Sequence, residues 1–142
     1  MKDHVARTSR TIDAPIQAVW ASLTSPDRHS AMMFGARVET EWRVGSPITW
    51  SGTWEGREFT DHGEITAVEE PTRLAVTHFS PLSGQEDTPE NHHAVEWLLE
   101  PIGSQTRVTL LQDNNPSAEA ATHAETNWAA SLDLLAGIVA DD

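Results

Sequence analysis

The spacing of apolar residues along this chain changes period twice, and each change marks a change of element. Residues 4–13 are rich in Thr, Val and Ile and read as a strand. After Asp13-Ala14-Pro15 the apolar side chains fall at Ile16, Val19, Trp20 and Leu23, the i, i+3, i+4, i+7 pattern of one helix face. Ser25 and Pro26 suit the cap and first position of a second short helix, which ends over Ala31, Met32, Met33 and Phe34 before Gly35 turns the chain. From there the period becomes two. Residues 36–43 read as a strand, Val44-Gly45-Ser46-Pro47 as a turn, and residues 48–54 as a strand with Ile48, Trp50 and Trp54 on one face. Glu55-Gly56 fits a tight hairpin turn. Residues 58–69 form a long strand whose apolar phase shifts between Ile65 and Val68, predicting a bulge near Gly63. Pro71-Thr72 leads into a strand over 74–79, residues 80–91 read as a polar, mobile loop, and Val95, Trp97 and Leu99 alternate along 92–100. Gly103-Ser104 turns the chain into a last strand over 106–112.

Helical spacing returns at the end. Over 115–139 the apolar residues are Ala121, Ala124, Trp128, Leu132, Leu135 and Val139, with Leu134 and Ile138 widening the face. Asn115 is the expected cap, Pro116 the first helical residue, Glu119 lies near the positive end of the dipole, and Gly137 predicts fraying near the end. Glu125 is expected on the solvated side. The order is strand, two helices, about six antiparallel strands and one long helix, an α+β layout in a single expected domain over 1–142.

Charge narrows the partners. Nine basic against 22 acidic residues give a formal charge of −13, which argues against nucleic acid or an anionic membrane surface. No run approaches the ~20 apolar residues of a spanning helix and no signal-type segment opens the chain, so a cytoplasmic protein without membrane insertion is expected. The absence of cysteine excludes disulfides, thiolate metal sites and cysteine nucleophiles.

Six tryptophans beside three phenylalanines and no tyrosine form the least ordinary feature. Helical spacing accounts for Trp20 and Trp128 as core, whereas for Trp50, Trp54 and Trp97 both core and an aromatic-lined pocket stay open. Among seven histidines, His92 and His93 are adjacent and on a strand face opposite ways, and no HExxH-type spacing occurs, so no metal is expected. His78 ends the apolar stripe of Leu74 and Val76, where it would meet a ligand or sit as a satisfied rim histidine. Glu64, Asp61, His62 and His78 are the acid–base candidates, without a spacing that proves convergence. No GxSxG, phosphate loop or triad signature is present.

The segments DAPIQAVWASLTSPDRHSAMMF, HGEITAVEEPTRLAVTHF and NWAASLDLLAGIV resemble the entry motif, central hairpin and closing helix of the SRPBCC superfamily, the START-like or birch-pollen-allergen-like proteins. Within it the chain looks most like homologues of the heat-shock-protein-90 ATPase activator domain. The resemblance implies a helix-grip fold, a curved sheet of about six or seven strands wrapped around the long C-terminal helix with a cavity between them. It also implies binding of a small apolar or aromatic molecule, lipid included, with a minority of members acting as cyclases, hydrolases or chaperone partners. The additional N-terminal domain of the full-length chaperone activators is not in this sequence, which sets a chaperone role lower. The leading expectation is a non-enzymatic ligand-binding protein, monomer or homodimer, with no cofactor. Its cavity is lined by Trp50, Trp54, His78, Trp97 and Trp128, with Met32, Met33 and Phe34 near the mouth. A small cyclase- or hydrolase-type enzyme using the same cavity, and a chaperone-activator-like interaction module, are the alternatives.

Overall fold

The computed structural model describes residues 1–140. Strand β1 (Ala6–Ile12) is followed by helices α1 (Ile16–Leu23) and α2 (Pro26–Met32). Strands β2 (Arg37–Glu39), β3 (Pro47–Trp54), β4 (Arg57–Glu69), β5 (Arg73–His78), β6 (His93–Ile102) and β7 (Gln105–Gln112) come next, and helix α3 (Ala118–Ala140) closes the chain. The strands form one antiparallel seven-stranded sheet in the order β1-β7-β6-β5-β4-β3-β2. This is the α+β helix-grip arrangement. Among the described residues no helix is long and apolar enough to cross a membrane.

The periods translate directly into burial. Val19, Trp20 and Leu23 of α1 are buried, as are Ile48 and Trp50 on β3, Leu74 and Val76 on β5, and Val95, Trp97 and Leu99 on β6. Cross-strand register puts Leu74 opposite Trp97 and Val76 opposite Val95 on the face that α3 covers. Each such side chain fully removed from water contributes roughly 1.5–3 kcal/mol.

Several local expectations are corrected. β2 spans three residues where eight were expected, because the chain leaves the sheet after Glu39 and bends at Trp42–Arg43: Trp42 adopts φ 58°, and the Ser46 hydroxyl donates to the Arg43 carbonyl at 2.7 Å. The β4 bulge lies between Ile65 and Ala67, not at Gly63. Gly63 instead answers a close approach, since a Cβ there would sit 1.8 Å from the Thr77 carbonyl oxygen. The Glu55-Gly56 turn is as expected, with both residues at positive φ (50° and 79°), the primed geometry that matches strand twist.

Residues 80–91 are a hydrogen-bonded set of turns rather than open chain. Two 3-10 turns lie at Pro81–Ser83 and Pro89–Asn91, and the Asp87 carboxylate accepts from His62 at 2.8 Å and His92 at 2.7 Å. Lys2 Nζ donates to the carbonyls of Pro89 and His92.

Helix α3 starts later than expected. Ser117, not Asn115, is its cap: the Ser117 Oγ accepts from the Ala120 amide at 3.1 Å, while the Asn115 side chain donates to the carbonyls of His4 and Gln112. The helix runs through Gly137 to Ala140. Its C-terminal half is sealed, with Ser131, Leu132, Leu135 and Val139 buried and the Ser131 hydroxyl donating to the Met32 carbonyl at 3.0 Å. Leu134 is 40 % exposed and falls outside the buried face. Glu125 is not idle surface: its carboxylate accepts from the Arg7 amide at 2.9 Å and so satisfies a free donor of the edge strand β1.

Candidate functional site: the cleft under helix α3

The two halves of α3 differ in side-chain size, and that difference makes a cleft. Where the C-terminal half packs Leu and Val, the N-terminal half turns the short side chains of Ala120 and Ala124 toward the space, beside His123 and Asn127, while Ala121 is buried. A cleft of about 390 Å³ results, bounded by that half-helix, by Met33 and Phe34 after α2, and by His93 and Gln112 at the sheet's end. Trp128 forms its inner wall. The Trp128 indole N–H donates to Gln112 Oε1 at 2.7 Å, and its ring meets Trp97 edge-on at 6.1 Å. Phe34 sits at the mouth, 65 % exposed and at φ 59°, a backbone region bulky residues rarely occupy. Such strain, of order 1–3 kcal/mol, persists where surrounding structure over-determines it. Met33 and Phe34 also border a second depression with Trp54 and Phe59, and Trp54, Phe59 and Asp61 border a third beside Leu82.

Behind the cleft lies a row of polar and aromatic side chains on one face of four neighbouring strands. Trp50 on β3 pairs in register with Asp61 on β4, and His78 on β5 pairs with His93 on β6. His78 Nε2 lies 3.0 Å from Asp61 Oδ2, with side chains 22 % and 16 % exposed. The His78 ring is 5.2 Å from Trp50 and 6.1 Å from His93. Asp61 Oδ1 is buried without a hydrogen-bond partner. His93 Nδ1 donates to the Asp113 carbonyl at 2.7 Å, and burial lowers its pKa below the usual imidazole range. The Asp113 carboxylate is anchored in turn by the amides of Ala94 and Lys2.

Deeper still, His29 is enclosed by Trp42, Trp50 and Trp97, with ring centroids 5.3, 6.5 and 5.7 Å away. Trp50 Nε1 donates to His29 Nε2 at 3.1 Å. An indole nitrogen only donates, so Nε2 carries no proton, and Nδ1 donates to the Leu23 carbonyl at 2.9 Å. Complete burial pushes the pKa down to about 4, partly opposed by that backbone bond. Nothing in the sequence singled out His29, because its only signal was a lone histidine on a short helix.

The expected site residues therefore separate into layers. Met33, Phe34 and Trp128 meet at the cleft. Trp97 and Met32 (both 0 % exposed) and Trp50 are enclosed in the core behind it, so none of the three forms cleft surface. His78 lies in the polar row. Trp54 is on the same face of β3 as Trp50, as expected, but lies at the open hairpin end beyond the last β2 pair at Ser51 and is 63 % exposed, outside the cleft lining. Sequence reasoning missed His93, Gln112, Asn115, Ala120, His123, Ala124 and Asn127 as cleft residues; Ala124, at helical spacing, reads as core. Of the acid–base candidates, Asp61 and His78 converge, whereas His62 turns to Asp87. Among the described residues no group of three or more His, Asp or Glu side chains is arranged to hold a metal ion.

The family model for Activator of Hsp90 ATPase homolog 1-like protein matches residues 13–140. The chain belongs to that family. It is an SRPBCC-type protein, as the solved structures also indicate. ChR145 from Cytophaga hutchinsonii, known in solution, is 36 % identical with a TM-score of 0.85, the match covering 99 % of this chain and 97 % of that one. MLL2253 from Mesorhizobium loti shares 20 % identity at a TM-score of 0.80, over 96 % and 97 % of the two chains. CalU16 from Micromonospora echinospora shares 21 % at 0.72, over 95 % and 83 %. The last two carry the fold alone. No functionally curated protein matches the sequence.

Proposed function

We propose that this family member binds a small, planar, apolar molecule in the cleft under the N-terminal half of α3. The observation that carries this reading is the space itself, about 390 Å³ between the alanine half of α3 and the sheet, walled by Trp128 and Phe34. A volume of that size suits a compact ring system, and apolar clefts with a few placed polar groups are the usual form of small-molecule sites. Gln112, His93, Asn115, His123 and Asn127 supply the polar groups here. The chain's charge of −13 disfavours an anionic ligand. A monomer or homodimer working in the cytoplasm fits this role, and the chaperone-activator reading has no comparable feature behind it.

Titration with a panel of apolar ring compounds, read by tryptophan emission, should give saturable quenching with micromolar affinity. Trp128→Phe should weaken it at least several-fold, while Trp20, buried and outside the cleft lining, contributes an unaffected background. A panel without any saturable response contradicts the reading.

A further inference from the structure

We infer that a second site, separate from the cleft under α3, takes the quaternary ammonium group of a small organic cation at the β3–β4 hairpin end of the sheet. The depression there has a volume of about 220 Å³ and is bordered by Trp54, Phe59, Asp61, Ser80 and Leu82. None of these residues lines the cleft. Register and period bring the first three together. Phe59 lies opposite Gly52, Asp61 lies opposite Trp50, and Trp54 falls two residues beyond Gly52, so all three side chains share one face. A Cβ at Gly52 would sit 3.3 Å from the Phe59 ring, so that ring lies close against the β3 backbone. Trp54 stays 63 % exposed beside it. The turn Pro81–Ser83 closes the other side, where its cap Ser80 accepts from the Leu82 amide at 3.3 Å.

The charge of the occupant follows from this lining. Asp61 is its one ionisable side chain; among the described residues no lysine or arginine borders the depression, and Arg57, in register with Trp54, stays outside it. Asp61 Oδ2 accepts from His78 at 3.0 Å, whereas Oδ1 is buried without a hydrogen-bond partner. An oxygen shut off from water and left unpaired is costly, and a positive charge nearby offsets that cost through its field alone. A primary ammonium brings N–H groups that need acceptors, which two aromatic rings and a leucine do not provide. A quaternary ammonium brings none and is held by ring faces, of which an indole gives the strongest attraction. The chain's charge of −13 draws cations toward the surface and repels anions from it. An uncharged apolar ring fits the walls and leaves Oδ1 as it was.

The test titrates the whole protein with choline and, separately, with 3,3-dimethylbutan-1-ol, its uncharged isostere, following the indole N–H signals by two-dimensional NMR. The Trp54 signal should shift and saturate with choline, at an affinity about five-fold or more above that of the isostere. The Trp128 signal, at the cleft wall, should stay fixed. Asp61→Asn, which removes the charge and keeps the shape, should bring choline down to the level of the isostere and leave the isostere unchanged. Trp54→Ala, read through the amide signals of Ser80 and Leu82, should weaken choline by a similar factor; the exposed position of Trp54 keeps that variant folded. No saturable Trp54 shift, equal binding of choline and its isostere, or choline binding unchanged in both variants overturns the site. A shift of Trp128 in place of Trp54 overturns it as well, because the cation then occupies the cleft.

Discussion

His29 uses both ring nitrogens in its neutral form, so a second proton has no partner waiting and must be taken up away from water. An unfolded chain binds that proton near pH 6.5, the folded one only near about 4. Between those values the unfolded state holds more protons. The stabilisation is therefore complete above about pH 6.5 and is lost as the pH falls toward 4, by about 3 kcal/mol at about 1.4 kcal/mol per pH unit. His93 is shifted in the same direction by its own burial and adds to the loss. Urea unfolding across that range should show the decline, and His29→Gln, which can keep both hydrogen bonds but cannot titrate, should flatten most of it. An unchanged slope would place the acid sensitivity elsewhere. The tryptophans give a second residue-scale prediction. Trp97→Ala removes an enclosed ring and should cost about 3–5 kcal/mol. Trp128→Ala, bordering open space, should fall below that range, and Trp54→Ala should stay within about 0.5 kcal/mol. Denaturant midpoints in any other order would contradict the layering.

At the scale of elements, Gly63 has the sharpest requirement. A methyl group there meets the Thr77 backbone at a distance no side-chain adjustment relieves, so β4 and β5 would have to part. Gly63→Ala should destabilise by about 3 kcal/mol or more, at the upper end of overpacking, and hydrogen exchange should localise the loss to β4 and β5. Exchange protection retained in both strands would show that the sheet absorbs the methyl group elsewhere. Most elements were legible beforehand because one-sided burial writes a period into the sequence: two along β3 and β6, three and four along α1 and α3. The errors fall where hydrogen bonds between distant residues decide. Asn115 has a cap's chemistry, yet the His4 and Gln112 carbonyls engage it and Ser117 caps instead. Gly63 has a bulge's chemistry, but the extra residue lies beyond Ile65.

For the whole molecule, the curved sheet closed by α3 could be read from element order and motif resemblance, while the cleft could not. A cavity is defined by what neighbouring elements fail to fill, and no local pattern records that. Ala124 reads as a packed helix position until the sheet is placed beneath it. Trp50 and Trp97 read equally as lining or core, and only the positions of His29 and Met32 enclose them. Asp61 and His78, seventeen residues apart, meet because the β4 and β5 strands fold back on each other. The proposed ligand site is the space beneath the N-terminal half of α3. Its most direct measurement is a two-dimensional NMR titration of the six indole N–H signals with the strongest-binding apolar ring compound. The Trp128 signal, whose N–H is held by Gln112 at the cleft wall, should shift progressively and saturate while Trp20 stays fixed. A ligand that binds and leaves Trp128 unmoved would contradict the account.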